Sequence, residues 1–148
     1  TGSYKRVQYA SMSTTITISG NKSELVSYFQ PPLHLSDQYE CGLLYFSVIK
    51  KRPNVPVNNN SLTAVIRIEC DLVHGSYYNG LPTHFIHEFI SDTAPGRSYT
   101  EIPQNVIYFP VNKNIISSIS VRIVDQFGYC IDFGEEHIQL RLHLRKAK

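Results

Sequence analysis

The run Thr83-His84-Phe85-Ile86-His87-Glu88-Phe89 is the densest collection of groups able to do chemistry in this chain. Two imidazoles and a carboxylate lie within five residues, a composition that could hold a metal or move a proton. Their spacing argues against both. On a strand, alternate side chains point to opposite faces. His84, Ile86 and Glu88 then share one face, and Phe85, His87 and Phe89 share the other. The two histidines diverge, so one metal cannot be held from this strand alone. A zinc-protease helix needs two His four apart with Glu beside the first, and that spacing is absent. His84 and Glu88 are therefore read as a polar strand pair. Other chemistry is equally thin. There is no Gly-x-Ser-x-Gly elbow for a nucleophilic serine and no glycine-rich phosphate loop. Glu135 and Glu136 follow Gly134 at a turn, where adjacent carboxylates diverge into solvent rather than sharing a substrate. No catalytic residue, metal site or cofactor is expected.

The most usable surface lies at the end of the chain. From His137 to Arg145, Ile138, Leu140, Leu142 and Leu144 alternate with His137, Gln139, Arg141, His143 and Arg145. A period of two defines a half-buried strand. One face is built for a core. The other presents a ladder of His and Arg, extended by Lys146 and Lys148, that could meet an anion, an acidic protein or a sister subunit.

The elements that must position these residues also read as strands. Ser13–Ser19 is dominated by β-branched residues and closes at Gly20-Asn21. Ser23–Phe29 carries a cap-like Asn21 and Glu24 but runs into Pro31-Pro32, so an extended segment is expected. Gly42–Ile49 is an apolar run of one strand's length. Leu62–Leu72 places Leu62, Ala64, Ile66, Ile68, Cys70 and Leu72 inward. Asn79-Gly80 marks a tight turn, Thr83–Ile90 a strand, and Pro95-Gly96 another turn. Val106–Val111, Ile115–Val124 and Tyr129–Phe133 complete the set. In Ile115–Val124, Ile115, Ser117, Ile119, Val121 and Ile123 are expected on one face, against Ser118, Ser120 and Arg122. The sum is an all-β protein: an antiparallel β-sandwich, a single jelly roll of about eight strands, with layers closed to protect their edges.

Composition sets the remaining bounds. The chain has 148 residues, 14 basic and 12 acidic, for a net charge of +2. That length suits one domain with a real core, and the charge is too mild to imply nucleic-acid binding by itself. Residues 1–12 are expected to be a flexible N-terminal segment, partly a cloning remnant at Thr1-Gly2-Ser3, ahead of one domain over residues 13–148. No apolar run approaches the ~20 residues of a membrane helix. Cys41, Cys70 and Cys130 are too few and too scattered for a disulfide framework. Each lies in or beside an apolar pattern and reads as a small buried hydrophobe in a reducing compartment. The sequons at Asn21 and Asn59 carry little weight, because such triplets arise readily in a chain rich in Asn and Ser.

Several segments together resemble a known family. They are Arg67-Ile68-Glu69-Cys70 leading to Gly75-Ser76-Tyr77, His84–Phe89, Glu101-Ile102-Pro103 with Val106–Val111, and above all Val124-Asp125-Gln126-Phe127-Gly128 through Ile131–Glu136 to Leu140–Leu144. Thr15–Gly20 and Gly42-Leu43-Leu44 fit more loosely. This texture resembles the carboxy-terminal half of the jelly-roll minor capsid (penton-type) proteins of Maverick/Polinton elements and adintovirus-like insertions, over about two-thirds of the chain. The resemblance implies a non-enzymatic structural subunit, located in a virion or inside a cell. Its implied partners are further copies of itself in a cyclic homo-oligomer and a major capsid protein. Relatives carry a substantial extra segment where this chain has only Pro53–Asn60, so a shortened form with a changed duty is expected. The competing readings are a host-retained binding module for a protein, glycan or acidic polymer such as nucleic acid, and a hydrolase assembled around His84 and Glu88.

Overall fold

The computed structural model describes residues 7–49, 65–91, 98–134 and 136–148. Within them the chain is all strand and loop. In order, the strands are β1 (Gln8–Tyr9), β2 (Ser13–Gly20), β3 (Glu24–His34), β4 (Tyr39–Ile49), β5 (Val65–Cys70) and β6 (Ser76–Tyr78). Then come β7 (Leu81–Thr83), β8 (Phe85–Ile90), β9 (Tyr99–Glu101), β10 (Phe109–Pro110), β11 (Ile115–Val124) and β12 (His137–Lys146). One sheet has the order β1-β3-β11-β5-β8. The second has the order β10-β4-β12-β2, with β9 also on β4. The two layers share one buried core, as the β-sandwich expectation requires.

The pairing is nested. β2 pairs antiparallel with β12, β3 with β11, β4 with β9 and β10, and β5 with β8. The first long strand thus meets the last, and the pairs close inward along the chain. Almost every contact is distant in sequence, so no local segment can stand without the others.

The core follows from alternation. In β12, Ile138, Leu140, Leu142 and Leu144 are all fully buried, as their period of two predicts. Ile16 and Ile18 of β2 and Ile66 and Ile68 of β5 obey the same rule. Phe46 sits at the centre, its ring 6.0 Å from Phe89 on the opposite layer, 6.2 Å from Tyr99 and 6.1 Å from Phe133. Burying one such ring contributes roughly 1.5–3 kcal/mol.

Several expectations need correction, each for a local physical reason. In β11 the inward set is Ile116, Ile119, Val121 and Ile123, while Ile115 and Ser117 are exposed. A bulge between Ile116 and Ser118 inserts one residue and flips the face. Val106–Val111 is a strand only at Phe109–Pro110; the preceding residues leave the sheet. Tyr129–Phe133 makes only a bridge, Cys130 to Val124, although Ile131 and Phe133 still enter the core. Cys41 and Cys70 are buried free thiols, and burial pushes the Cys70 thiol up to about 12. Cys130, expected inside, is exposed, 3.7 Å from both Arg122 and Glu24. Gln8 and Tyr9, in the segment read as flexible, pair in parallel with Leu33 and His34. The Asn79-Gly80 turn forms as expected, with both residues at positive φ, joining β6 to β7. Leu62, Ala64, the Pro53–Asn60 loop, Pro95-Gly96 and Glu135 lie outside the described residues.

Candidate functional site

β12 is the central strand of the second sheet, flanked by β4 and β2. Because its leucines face the core, His137, Gln139, Arg141, His143 and Arg145 must all stand on the outer face. The structure brings this ladder together with partners from three other segments. His143 is held from both sides, by Ser13 Oγ at 2.7 Å from Nε2 and by Tyr108 Oη at 2.7 Å from Nδ1. Arg145 Nε donates to Glu40 Oε1 at 2.6 Å, and its guanidinium carbon lies 3.3 Å from the centre of the Tyr108 ring. Arg141 Nε donates to Thr17 Oγ1 at 3.1 Å and faces the Tyr45 ring at 5.6 Å. Gln139 Nε2 donates to Tyr45 Oη at 2.6 Å. His137 Nε2 lies 3.4 Å from Gln139 Oε1.

These contacts change the electrostatic character of the ladder. Arg145 is paired with Glu40 (2.6 Å) and Lys146 with Asp37 (3.0 Å). The Lys146 ammonium, by hydrogen bond and by charge, holds the Asp37 carboxyl below its usual range. Among the described cations of the ladder itself, only Arg141 stands without a carboxylate partner. The face is a cross-linked polar sheet rather than an open basic strip.

Gly42 makes this face possible. It lies opposite His143 in the register. A Cβ there would meet Val106 Cγ1 at 2.5 Å, Ile107 O at 3.0 Å and Tyr108 Cδ1 at 3.2 Å. Residues 102–108 therefore leave the edge of β4 between β9 and β10 and cross its outer surface at the one position without a side chain. That crossing delivers Tyr108 to His143 and Arg145. A glycine inside an apolar strand pattern signals such close approach; it is the one clue to this strap that the sequence holds. Tyr45, Tyr108 and Glu40 carried no signal of their own.

His84 and Glu88 do not form a pair. A bulge in the β5–β8 pairing, between Ile68 and Glu69, breaks the regular alternation this pairing assumed. His84 precedes β8, and its Nδ1 lies 2.7 Å from Val73 O. Glu88 lies 3.3 Å from Arg67 Nε. Arg67 is itself buried on the outer side of β5. Its guanidinium packs against the rings of Tyr78 (4.6 Å) and Phe85 (5.4 Å), and its Nη1 donates to Gln126 O at 2.9 Å. His84 and Glu88 thus each meet a partner from another segment rather than each other.

His87, rather than His84, enters the space between the layers. It stacks on Phe89 at 5.7 Å, and its Nε2 comes within 3.9 Å of Glu101 Oε2 on β9. That distance is too long for a hydrogen bond, and Nε2 is buried without a partner. Desolvation pushes the imidazole below its ordinary pKa, against the opposing pull of Glu101 and Glu88. The pair lines a cleft of about 370 Å³ where the edges of the two sheets meet, walled also by Tyr77, Phe85 and Phe109. Among the described residues, no three His, Cys, Asp or Glu side chains are grouped to hold a metal ion. No helix long and apolar enough to cross a membrane occurs among them either. The arrangement offers organised hydrogen bonding and aromatic surface. No protein-family model matches the chain, and no curated protein matches it.

Proposed function

We propose that this chain is a non-enzymatic structural subunit, a penton-like single jelly roll of the Maverick/Polinton capsid type, that closes into a cyclic oligomer. One observation carries the reading: the nested pairing of eight successive strand positions, first with last and fourth with fifth. A β-hairpin rolled across two layers to make a jelly roll would pair its strands in this nested order, which supports the reading. A shell subunit needs a rigid sandwich with outward faces for its neighbours. The resemblance in texture through Val124–Gly128 and Ile131–Leu144 points the same way. Fold alone does not fix duty, so the test is assembly. In a ring each subunit uses two different patches. Light scattering on the purified chain is expected to give the mass of a closed oligomer. A monomer at high concentration under all salt conditions overturns the proposal.

The second reading is a binding module for an acidic polymer or partner. Arg141 favours it, being exposed and without a carboxylate partner on a face otherwise fixed in place. Binding to heparin or DNA should then weaken as salt rises, and Arg141→Glu should weaken it across all sequences. Unchanged binding in that variant removes the ladder as the contact.

A further inference from the structure

A β-sandwich has four sheet edges, and each exposed edge is a template for another strand unless something blunts it. Three edges here are blunted. β1 covers only Leu33 and His34 of β3, and the rest of that edge carries Glu24 and the Pro31-Pro32 pair. β8 carries the His87-Glu88 pair and a register break. The remaining edge is split into β9 and β10, of three and two residues, with Pro103 between them and Pro110 at the end. β2 has none of these devices. It is eight residues, Ser-Thr-Thr-Ile-Thr-Ile-Ser-Gly, with no charge and no proline. It pairs with β12 from Ser13 to Gly20 without a register shift. Among the described residues, no backbone group pairs with its other side. Just upstream, Tyr9 and Met12 leave 67% and 73% of their surface in solvent.

We infer that β2 is a docking edge for the β2 strand of a second copy, joining two sandwiches through one continuous sheet about a twofold axis. The strand's own pattern selects that occupant. An axis perpendicular to the sheet sets residues of like parity opposite each other. The isoleucines, buried at 7% and 3% exposure, then meet isoleucines and extend the core. On the outer face Thr15, Thr17 and Ser19 meet hydroxyl neighbours, a favourable cross-strand pairing. No charge of the strand meets its copy. Arg141 on the neighbouring strand of each subunit, opposite Thr17, lies three strand spacings from its copy, roughly 14 Å. That exceeds the Debye length of about 8 Å at physiological salt. A partner of different sequence would lack this automatic complementarity. The interface uses one patch twice, so it is independent of the ring, which uses two patches once each.

Sedimentation of the full chain over a concentration series tests this directly. One strand pair is a small interface, so the mass is expected to double with concentration, starting from the single chain or from the closed ring. Thr15→Lys, exposed on the edge, should raise the dissociation constant about tenfold or more, because a lysine on an edge strand opposes the addition of another strand. Ser19→Lys should do the same, which guards against a folding defect in either variant. Ser117→Lys, exposed on the other sheet, should leave the constant unchanged. Equal self-association of the wild type and both edge variants overturns the inference. So does a monomeric wild type that dimerises once residues 1–6 are deleted, which assigns the edge to the chain's own N-terminus. A closed ring that survives Thr15→Lys while no twofold species forms also overturns it, yet keeps the ring proposal.

Discussion

At the scale of residues, parity decides more than identity. His84 and His87 are three apart and differ in every respect that matters: one faces solvent and bonds a backbone carbonyl, the other sits half-buried between the layers. The consequence for His87 is a pH dependence with a definite sign. Its folded pKa lies below the ordinary 6.5, chiefly through desolvation. As pH falls through that ordinary value, the unfolded chain takes up the proton first. Stability is therefore complete above about pH 6.5 and declines below it, until the folded imidazole also titrates. His87→Phe keeps the stack on Phe89 and removes the proton site. Thermal unfolding at about pH 7.5 and about pH 5 should show a smaller acid loss in the variant than in the wild type. Equal losses would assign the acid sensitivity to other groups.

At the scale of elements, the strap over residues 102–108 is the decisive feature. It interrupts what would be one long edge strand on β4 and lays Tyr108 across the outer face. Gly42 is the residue it depends on, because the contacts a Cβ would make include the Ile107 carbonyl, which cannot swing aside as a side-chain tip can. Gly42→Ala is expected to cost about 1–3 kcal/mol, in the range of overpacking substitutions. Urea unfolding should show a lowered midpoint with the slope unchanged. A midpoint equal to wild type would mean that the strap is not pressed against β4. Bulges are the other device at this scale. Those in β11 and in the β5–β8 pair each re-aim the residues beyond them, and no propensity marks them in the sequence.

At the scale of the whole molecule, the chain is a sandwich whose polar outer face is cross-linked and whose inter-sheet space is packed with aromatic and aliphatic side chains. Both the ring and the twofold edge are assembly predictions that mass measurements separate. What the sequence determined alone was set by alternation. The strands β2, β5 and β12, the inward leucines and isoleucines, the outward ladder His137–Arg145 and the Asn79-Gly80 turn all follow from period two and turn chemistry, which act over a few residues. The extended course of Ser23–Phe29 followed from the proline pair, and the structure carries the strand on through those prolines to His34. Tertiary structure alone decided which strands lie side by side, where bulges reset the parity, that Tyr108 reaches His143, and that His87 rather than His84 turns toward a carboxylate. Those outcomes depend on atoms from segments 130 positions and more apart, as Ser13 and His143 are. Their contacts exist only once the two layers close, and no periodicity within a single strand encodes them.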